Sequence, residues 1–319
     1  MKTKYALQTQ RKFTKNAILL IVAALALCAS PAVTLATDCL PQTTWIGGKS
    51  SWFTSSNWDN GLPDSGTAAL IDNGGTAQIT ASLPVANACS LSLGPDAGHS
   101  GNVSVSIGTL LVTTSVVVGS DYGTGSLSVT NAGTVTGGDI SVGGGASGTS
   151  ATGLLTLTDT STVTAASVNV NHTGTLSGYG TVSTPNGTTT VQGTLAPKGG
   201  DTTLTIGDTL SLASGSTTQC NVTPQDPSTT AQVNVSNGGG TAQVSLGGTL
   251  LVTMTGDFSS APTRFTLLYA DSVNSMHKTF DFTSITYPTG HCWHPVITYV
   301  LDNTTGHYHV YLDRVYDCN

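Results

Sequence analysis

The 319-residue chain carries 10 Lys and Arg against 17 acidic residues, all of them Asp, and its net charge is −7. Only 8% of its residues are charged, whereas Gly, Ser, Thr, Val and Leu dominate, a composition that favours strands and turns over helices. These features exclude a mostly helical fold and argue against nucleic acid as a partner.

The first 36 residues have the pattern of a secretory signal peptide. Five Lys and Arg precede an apolar run at 17–27, and small residues follow up to Ala36. The run is shorter than the roughly 20 residues that a membrane-spanning helix needs, and Leu27 before Cys28 is larger than lipoprotein processing usually accepts. We therefore expect cleavage near Ala36, no transmembrane segment in the mature chain, and a secreted, cell-surface or periplasmic location.

Residues 37–66 are expected to form an N-terminal cap. The segment holds three of the four tryptophans, Trp45, Trp52 and Trp58. Large aromatic side chains at the end of a solenoid cover the edges of its first strands, and this is the interpretation we favour. Exposed indole faces also stack on sugars, so the same three residues are the candidate ligand-binding surface.

A repeat occupies residues 67–255. Each unit begins with an apolar-x-apolar pair. Five intervening residues separate this pair from a third apolar residue, and four more separate that residue from an apolar-x-Val pair. Three consecutive copies begin at Val103, Leu127 and Leu155, and the extra length of the second spacing lies in the Gly-rich stretch 143–148. Insertion in a loop leaves the core register unchanged.

The alternation within each copy predicts a right-handed parallel β-helix of roughly eight coils, on the order of 40 Å long. Residues one repeat apart would stack about 4.8 Å from each other. Asn131 and Asp159, which tolerate left-handed backbone, are expected in turns rather than as metal ligands. An antiparallel barrel or sandwich is the alternative. The expected interior columns are Val105, Val129 and Leu157, and Leu111, Val135 and Val163.

Residues 256–319 are expected to form a C-terminal β cap. A strand at 265–269 is followed by two apolar runs, 296–301 and 307–312, which flank a turn and predict a hairpin. Because residues two apart on a strand share a face, His307 and His309, together with His294, form a candidate zinc or copper site. Surface histidines are also common on hairpins, and we expect no cofactor.

Five cysteines follow the signal peptide, which in an exported chain suggests up to two disulfides and one free thiol. Cys292 with Cys318 is the preferred pair because both lie in the C-terminal segment. Cys39 with Cys89 is the second choice.

Three segments share a wider pattern: the tryptophan-rich start at 45–63, the Gly-rich stretch 174–182 that leads to Leu195-x-Pro197, and 247–252 before the C-terminal strands. Together they resemble bacterial passenger-type β-helix proteins with autotransporter-associated β-strand repeats. The resemblance covers most of the mature chain and implies a rod that adheres, bridges or protrudes. It implies no catalytic residue, and we expect no translocator barrel after the last strand.

The sequence thus predicts a non-catalytic exported protein with an adhesion, matrix or structural role. Its expected partners are extracellular glycans, cell surfaces or further copies of itself. The alternative is a polysaccharide-active lyase or hydrolase, or a carbohydrate-binding module. Such enzymes use clustered Asp residues, or calcium-bound Asp with a base, and the chain contains no Asp-Asp or Asp-x-Asp pair. Thr-rich outer faces are also compatible with ordering water at an ice surface.

Overall fold

The computed structural model describes residues 39–120, 122–144, 152–198, 202–224, 232–239, 241–258, 263–288 and 293–316, so the predicted signal peptide lies outside it. These residues form 28 strands and one 3-10 helix, Ser55–Asn57. None of the helical structure described is long and apolar enough to cross a bilayer. The strands, in chain order, are β1 (Gln42–Thr44), β2 (Lys49–Ser51), β3 (Ala68–Ile71), β4 (Asn73–Ile79), β5 (Ala86–Ala88), β6 (Ser90–Leu93), β7 (Ser100–Ser106), β8 (Thr109–Val112), β9 (Ser115–Val118), β10 (Thr124–Thr130), β11 (Thr134–Thr136), β12 (Asp139–Val142), β13 (Thr152–Leu157), β14 (Thr162–Thr164), β15 (Ser167–Val170), β16 (Gly174–Gly178), β17 (Gly180–Val191), β18 (Thr194–Pro197), β19 (Leu204–Leu212), β20 (Thr217–Val222), β21 (Val233–Val235), β22 (Gln243–Ser245), β23 (Thr249–Met254), β24 (Arg264–Ala270), β25 (Ser272–Val273), β26 (Phe282–Thr286), β27 (Trp293–Leu301) and β28 (Tyr308–Tyr316).

Each coil passes through three parallel stacks of strands, here named faces A, B and C. Face A contains β2, β4, β7, β10, β13, β16, β18, β20, β23 and β26. Face B contains β5, β8, β11, β14, the first halves of β17 and β19, β21 and β24. Face C contains β1, β3, β6, β9, β12, β15, the second halves of β17 and β19, β22 and β25. The molecule is a parallel β-solenoid of about 8 turns, as the repeat predicts.

The interior columns follow the predicted register on face A. Leu127 pairs with Val103 on one side and with Leu155 on the other, and Val129 pairs with Val105 on one side and with Leu157 on the other. All six side chains are buried. Side chains alternate across a strand, so the intervening Ser and Thr residues point outward. The parallel pairing excludes the antiparallel barrel or sandwich for this region.

The predicted column on face B is wrong at one position. Val135 pairs with Val163, as expected, but its other partner is Leu110 and not Leu111. Leu110 is fully buried, whereas Leu111 is 39% exposed. The reason is a difference in turn length, because two residues join β7 to β8 and three join β10 to β11. A shift of one residue in a strand exchanges its inward and outward sides.

Glycine follows the apolar-x-Val pair because the chain turns tightly from face C to face A at that point. Gly94, Gly119 and Gly143 have φ of +55°, +69° and +80° in three successive coils. A Cβ at any of them would lie 2.1–2.3 Å from backbone atoms of a following coil. Only glycine satisfies both the left-handed backbone and this close approach.

The two residues predicted in turns, Asn131 and Asp159, have left-handed backbone with φ of 49° and 59°. They stack on the corner between faces A and B, where the backbone N–H of Asn131 donates to Asp159 Oδ2 at 3.3 Å. Tyr179 Oη donates to the other carboxylate oxygen at 3.2 Å. These hydrogen bonds hold the pKa of Asp159 below its usual value. The corner therefore carries a polar ladder that runs along the rod.

The parallel stack extends past both ends of the region 67–255. At the N-terminal end β1 and β2 pair with β3 and β4 in parallel, and at the other end β24, β25 and β26 continue the three faces. The predicted hairpin is confirmed: β27 is antiparallel to β28, which is antiparallel to β24. The chain therefore closes its last coil with reversed strands.

Candidate functional site

The three tryptophans proposed as a ligand surface lie inside the N-terminal cap. Trp45, Trp52 and Trp58 are 0%, 1% and 3% exposed. Trp58 contacts the other two rings edge-on, with centroids 5.0 and 4.9 Å away, and donates its indole N–H to the carbonyl of Trp52 at 2.9 Å. Stacking on a sugar needs an exposed ring face, whereas these rings form a lid over the first coil.

The three histidines proposed as a metal site are not brought together. His309 pairs with Val300 across β27 and β28, whereas His294 pairs with Val315 near the opposite end of the same strands. Val300 lies six positions after His294 on the extended strand, a distance of about 20 Å. His307 and His309 remain neighbours, and both contact the ring of Tyr269.

One of the two predicted disulfides is present. Cys39 and Cys89 are bonded, with Cα atoms 5.6 Å apart. Cys220 is a free, buried thiol, and burial raises its pKa to about 12, so it is neither a nucleophile nor a metal ligand at neutral pH. The preferred pair, Cys292 with Cys318, lies outside the described residues and stays a prediction.

A groove of about 470 Å³ lies along the corner between faces B and C, where three successive coils turn. We call it the polar groove. It crosses the outer side of β17, β19 and β21, so its walls come from residues that are far apart in sequence. Its lining is Thr181, Ser183, Pro185, Asn186, Thr205, Gly207, Asp208, Ser236, Asn237 and Gly239.

The groove exists because β19 has a glycine, Gly207, at an outward position. Ser183 pairs with Gly207, and the next coil places Ser236 directly after its strand β21. The atoms nearest to a Cβ built on Gly207 belong to Ser183 and lie at 3.5 Å or more, an ordinary contact distance. The glycine therefore leaves a notch that a larger side chain would fill without displacing backbone.

Polar side chains are fixed around this notch by the turns. Asn186 and Asp208 have left-handed backbone with φ of 60° and 74°, a conformation that Asn and Asp tolerate. Asn237 Nδ2 donates to Asp208 Oδ1 at 3.2 Å and to Thr241 Oγ1 at 2.7 Å. The lining thus offers hydroxyl, amide and carboxylate groups in a pre-formed arrangement.

An aromatic strip continues the same face beyond the groove. We define it as Tyr269, His307, His309 and Tyr311. Thr205 of the groove pairs with Asn234 of β21, Asn234 pairs with Tyr269, and Tyr269 pairs with His309. The strip therefore follows the groove after one intervening rung. His309 stacks on Tyr311 with centroids 5.1 Å apart and planes 9° apart. All four rings are partly exposed.

Burial lowers the pKa of His309, and the neighbouring His307 acts in the same direction. This shift favours the neutral imidazole of His309, which presents a ring face to solvent. The ion pair beside it, Arg264 with Asp313, has a closest N–O distance of 2.6 Å, and the guanidinium lies over the ring of Tyr311. These contacts hold the strip in place.

The polar groove was not predicted from the sequence. A signal was present, since Asn186, Asp208 and Asn237 each lie beside a glycine in a turn, 22 and then 29 residues apart. The looser repeat after Val170 hides the fact that these turns stack. The aromatic strip was seen only in part, as two histidines.

Comparison with known proteins returns no matching family model, no matching curated protein and no matching solved structure.

Proposed function

We propose that this protein is an exported, non-catalytic β-solenoid that binds neutral glycans through the polar groove and the aromatic strip, and so serves adhesion or matrix contact. The single observation that carries the proposal is the continuity of the two surfaces. Thr205 of the groove is paired with Asn234, and Asn234 is paired with Tyr269, on successive strands of face B. An elongated chain of sugars needs such a track of hydrogen-bonding groups followed by ring faces.

The chemistry of the groove fits hydroxylated ligands. Sugars present paired hydroxyls, which donate to carboxylate and amide oxygens and accept from amide and hydroxyl groups. Asn186, Asp208 and Asn237 supply these groups at the rim, and Thr181 and Thr205 lie on the strands below. A concave site with a few placed polar groups is typical of small-ligand recognition.

Charge favours neutral over acidic glycans. After removal of the predicted signal peptide, five basic residues face 17 acidic ones, and the field of such a chain repels polyanions. The same groove favours binding over cleavage, because Asp208 is the one carboxylate among its described lining residues. Glycoside hydrolysis typically uses two carboxylates that flank the scissile bond.

An exported location supports this function and rests on the predicted signal peptide and on the disulfide between Cys39 and Cys89, which suits an oxidising compartment. The resemblance to passenger-type β-helix proteins points to the same setting. A rod that carries its binding surface toward one end would display that surface to polymers outside the cell.

The test is a glycan array probed with the mature protein, run beside a reducing-sugar assay on the glycans that bind. We expect binding to neutral polymers, weaker binding to acidic ones, and no release of reducing ends. Gly207→Val should fill the notch and weaken binding at least tenfold, which corresponds to about 1.4 kcal/mol.

Gly48→Val is the matched control, since a Cβ there has no neighbour within 4 Å and lies near the opposite end of the solenoid. It should bind as the wild type does, and circular dichroism should show that both variants fold. Release of sugar, or equal binding by both variants, would refute the proposal.

A further inference from the structure

A second polar cluster lies at the other end of the rod, on the corner between faces C and A. The turn after β3 carries Asp72, and the turn after β6 carries Asp96 and His99. The two turns are held together by a hydrogen bond from the Gly94 amide to the Ile71 carbonyl at 2.9 Å. One ligand atom from each of Asp72, Asp96 and His99 lies within 4.8 Å of the others.

The cluster has an unbalanced negative charge. The chain has no Lys or Arg between Lys49 and Lys198. His99 is the basic group nearest in sequence to Asp96, and it is also the group that contacts Asp72. Its Nδ1 is hydrogen-bonded to Asp72 Oδ2, and this contact raises the pKa of His99.

One carboxylate oxygen of Asp72 has no hydrogen-bond partner among the described residues. The side chain is 12% exposed, and this oxygen, Oδ1, is shielded from solvent. A shielded carboxylate oxygen is costly unless a proton donor or a cation satisfies it. The open hollow of about 520 Å³ beside Asp72 and His99 leaves space for a cation and its water.

We propose that Asp72, Asp96 and His99 bind one divalent transition-metal ion, with Zn²⁺ as the best-matched species. An imidazole nitrogen with two carboxylate oxygens is a ligand set that Zn²⁺ accepts, with water in the fourth position. Ca²⁺ prefers six to eight oxygen ligands and is a poorer match. The imidazole nitrogen must be unprotonated to bind the ion, so any proton on it passes to solvent.

The ion would join two successive coils beside the N-terminal lid. The residue after Asp72, Asn73, donates its side-chain amide to the carbonyl of Gly47 at 3.0 Å, which connects the metal-binding turn to the Trp segment. An ion that binds only the folded state stabilises it by mass action. The proposed role is therefore a clamp on the open end of the solenoid, independent of the glycan surface.

The test is isothermal titration of the mature, metal-stripped protein with Zn²⁺ alone, followed by Ca²⁺ alone. We expect one Zn²⁺ site that His99→Ala and Asp72→Asn each weaken roughly 100-fold, given that even changes outside the ligand set typically cost 10- to 100-fold. The melting temperature of the wild type should rise with Zn²⁺ and that of His99→Ala should not.

His172→Ala is the matched control, because His172 is an exposed histidine on a later coil. It should bind Zn²⁺ as the wild type does. Absence of saturable Zn²⁺ binding, undiminished binding by His99→Ala, or equal affinity for Ca²⁺ would overturn the proposal. None of these results depends on whether glycans bind.

Discussion

At the scale of single residues, the fold separates chemically identical neighbours. Leu154 and Leu155 are adjacent on β13, yet Leu154 is 40% exposed and Leu155 is fully buried in the column with Leu127. The same contrast distinguishes Leu110 from Leu111. Hydrophobicity alone does not decide which leucine is in the core, because the strand's alternation and the length of the preceding turn decide it.

This contrast predicts the effect of truncating each leucine. Leu155→Ala removes a buried side chain and leaves a cavity, and should lower the free energy of unfolding by about 3 kcal/mol. Leu154→Ala, the matched control on the same strand, should change it by less than about 0.5 kcal/mol. Urea denaturation followed by circular dichroism measures both. Equal effects of the two changes would contradict the register of β13.

At the scale of elements, the stack is a series of coils that each contact mainly their neighbours, so its ends need special support. The N-terminal end has the tryptophan lid and the Cys39–Cys89 disulfide. The C-terminal end has the antiparallel β27–β28 pair and a cluster in which Phe258 contacts Phe265 and Trp293, with centroids 5.9 Å away. Both ends thus add aromatic packing to the parallel stack.

The disulfide should contribute to stability through its loop, since Cys39 and Cys89 are 50 residues apart. The double variant Cys39→Ser with Cys89→Ser should lose about 2–4 kcal/mol of unfolding free energy. The comparison uses oxidised wild type and the variant in the same denaturant series. Peptide mapping without reductant should recover the linked pair from the wild type. An unchanged midpoint in the variant would mean that the N-terminal end is held by the lid alone.

The sequence predicts the columns well because a period of two leaves few choices for Val103, Leu127 and Leu155. Other strands of the stack lack the repeat's spacing, since β1, β2 and β24–β26 pair as coils without it. The polar groove depends on outward residues of three coils with unequal lengths. Its position follows from turn geometry such as the left-handed Asp208, which a one-dimensional pattern does not encode.

At the scale of the whole molecule, the stacking of coils brings polar and aromatic side chains from separate turns together into extended surfaces. Three successive turns form the polar groove, and the reversed strands add the aromatic strip beside it. The proposed metal cluster is likewise assembled from two turns at the opposite end. The rod thereby separates the proposed glycan-binding region from the end that the proposed metal ion would clamp.

The most direct test is hydroxyl-radical footprinting of the mature protein with and without a neutral glycan that it binds. If the groove and strip act as one surface, then Tyr269, His309 and Tyr311 should be protected by the glycan. Tyr122, which lies on an earlier coil and is 54% exposed, should be oxidised equally in both samples. Protection of Tyr122 with none at Tyr269 would contradict the account.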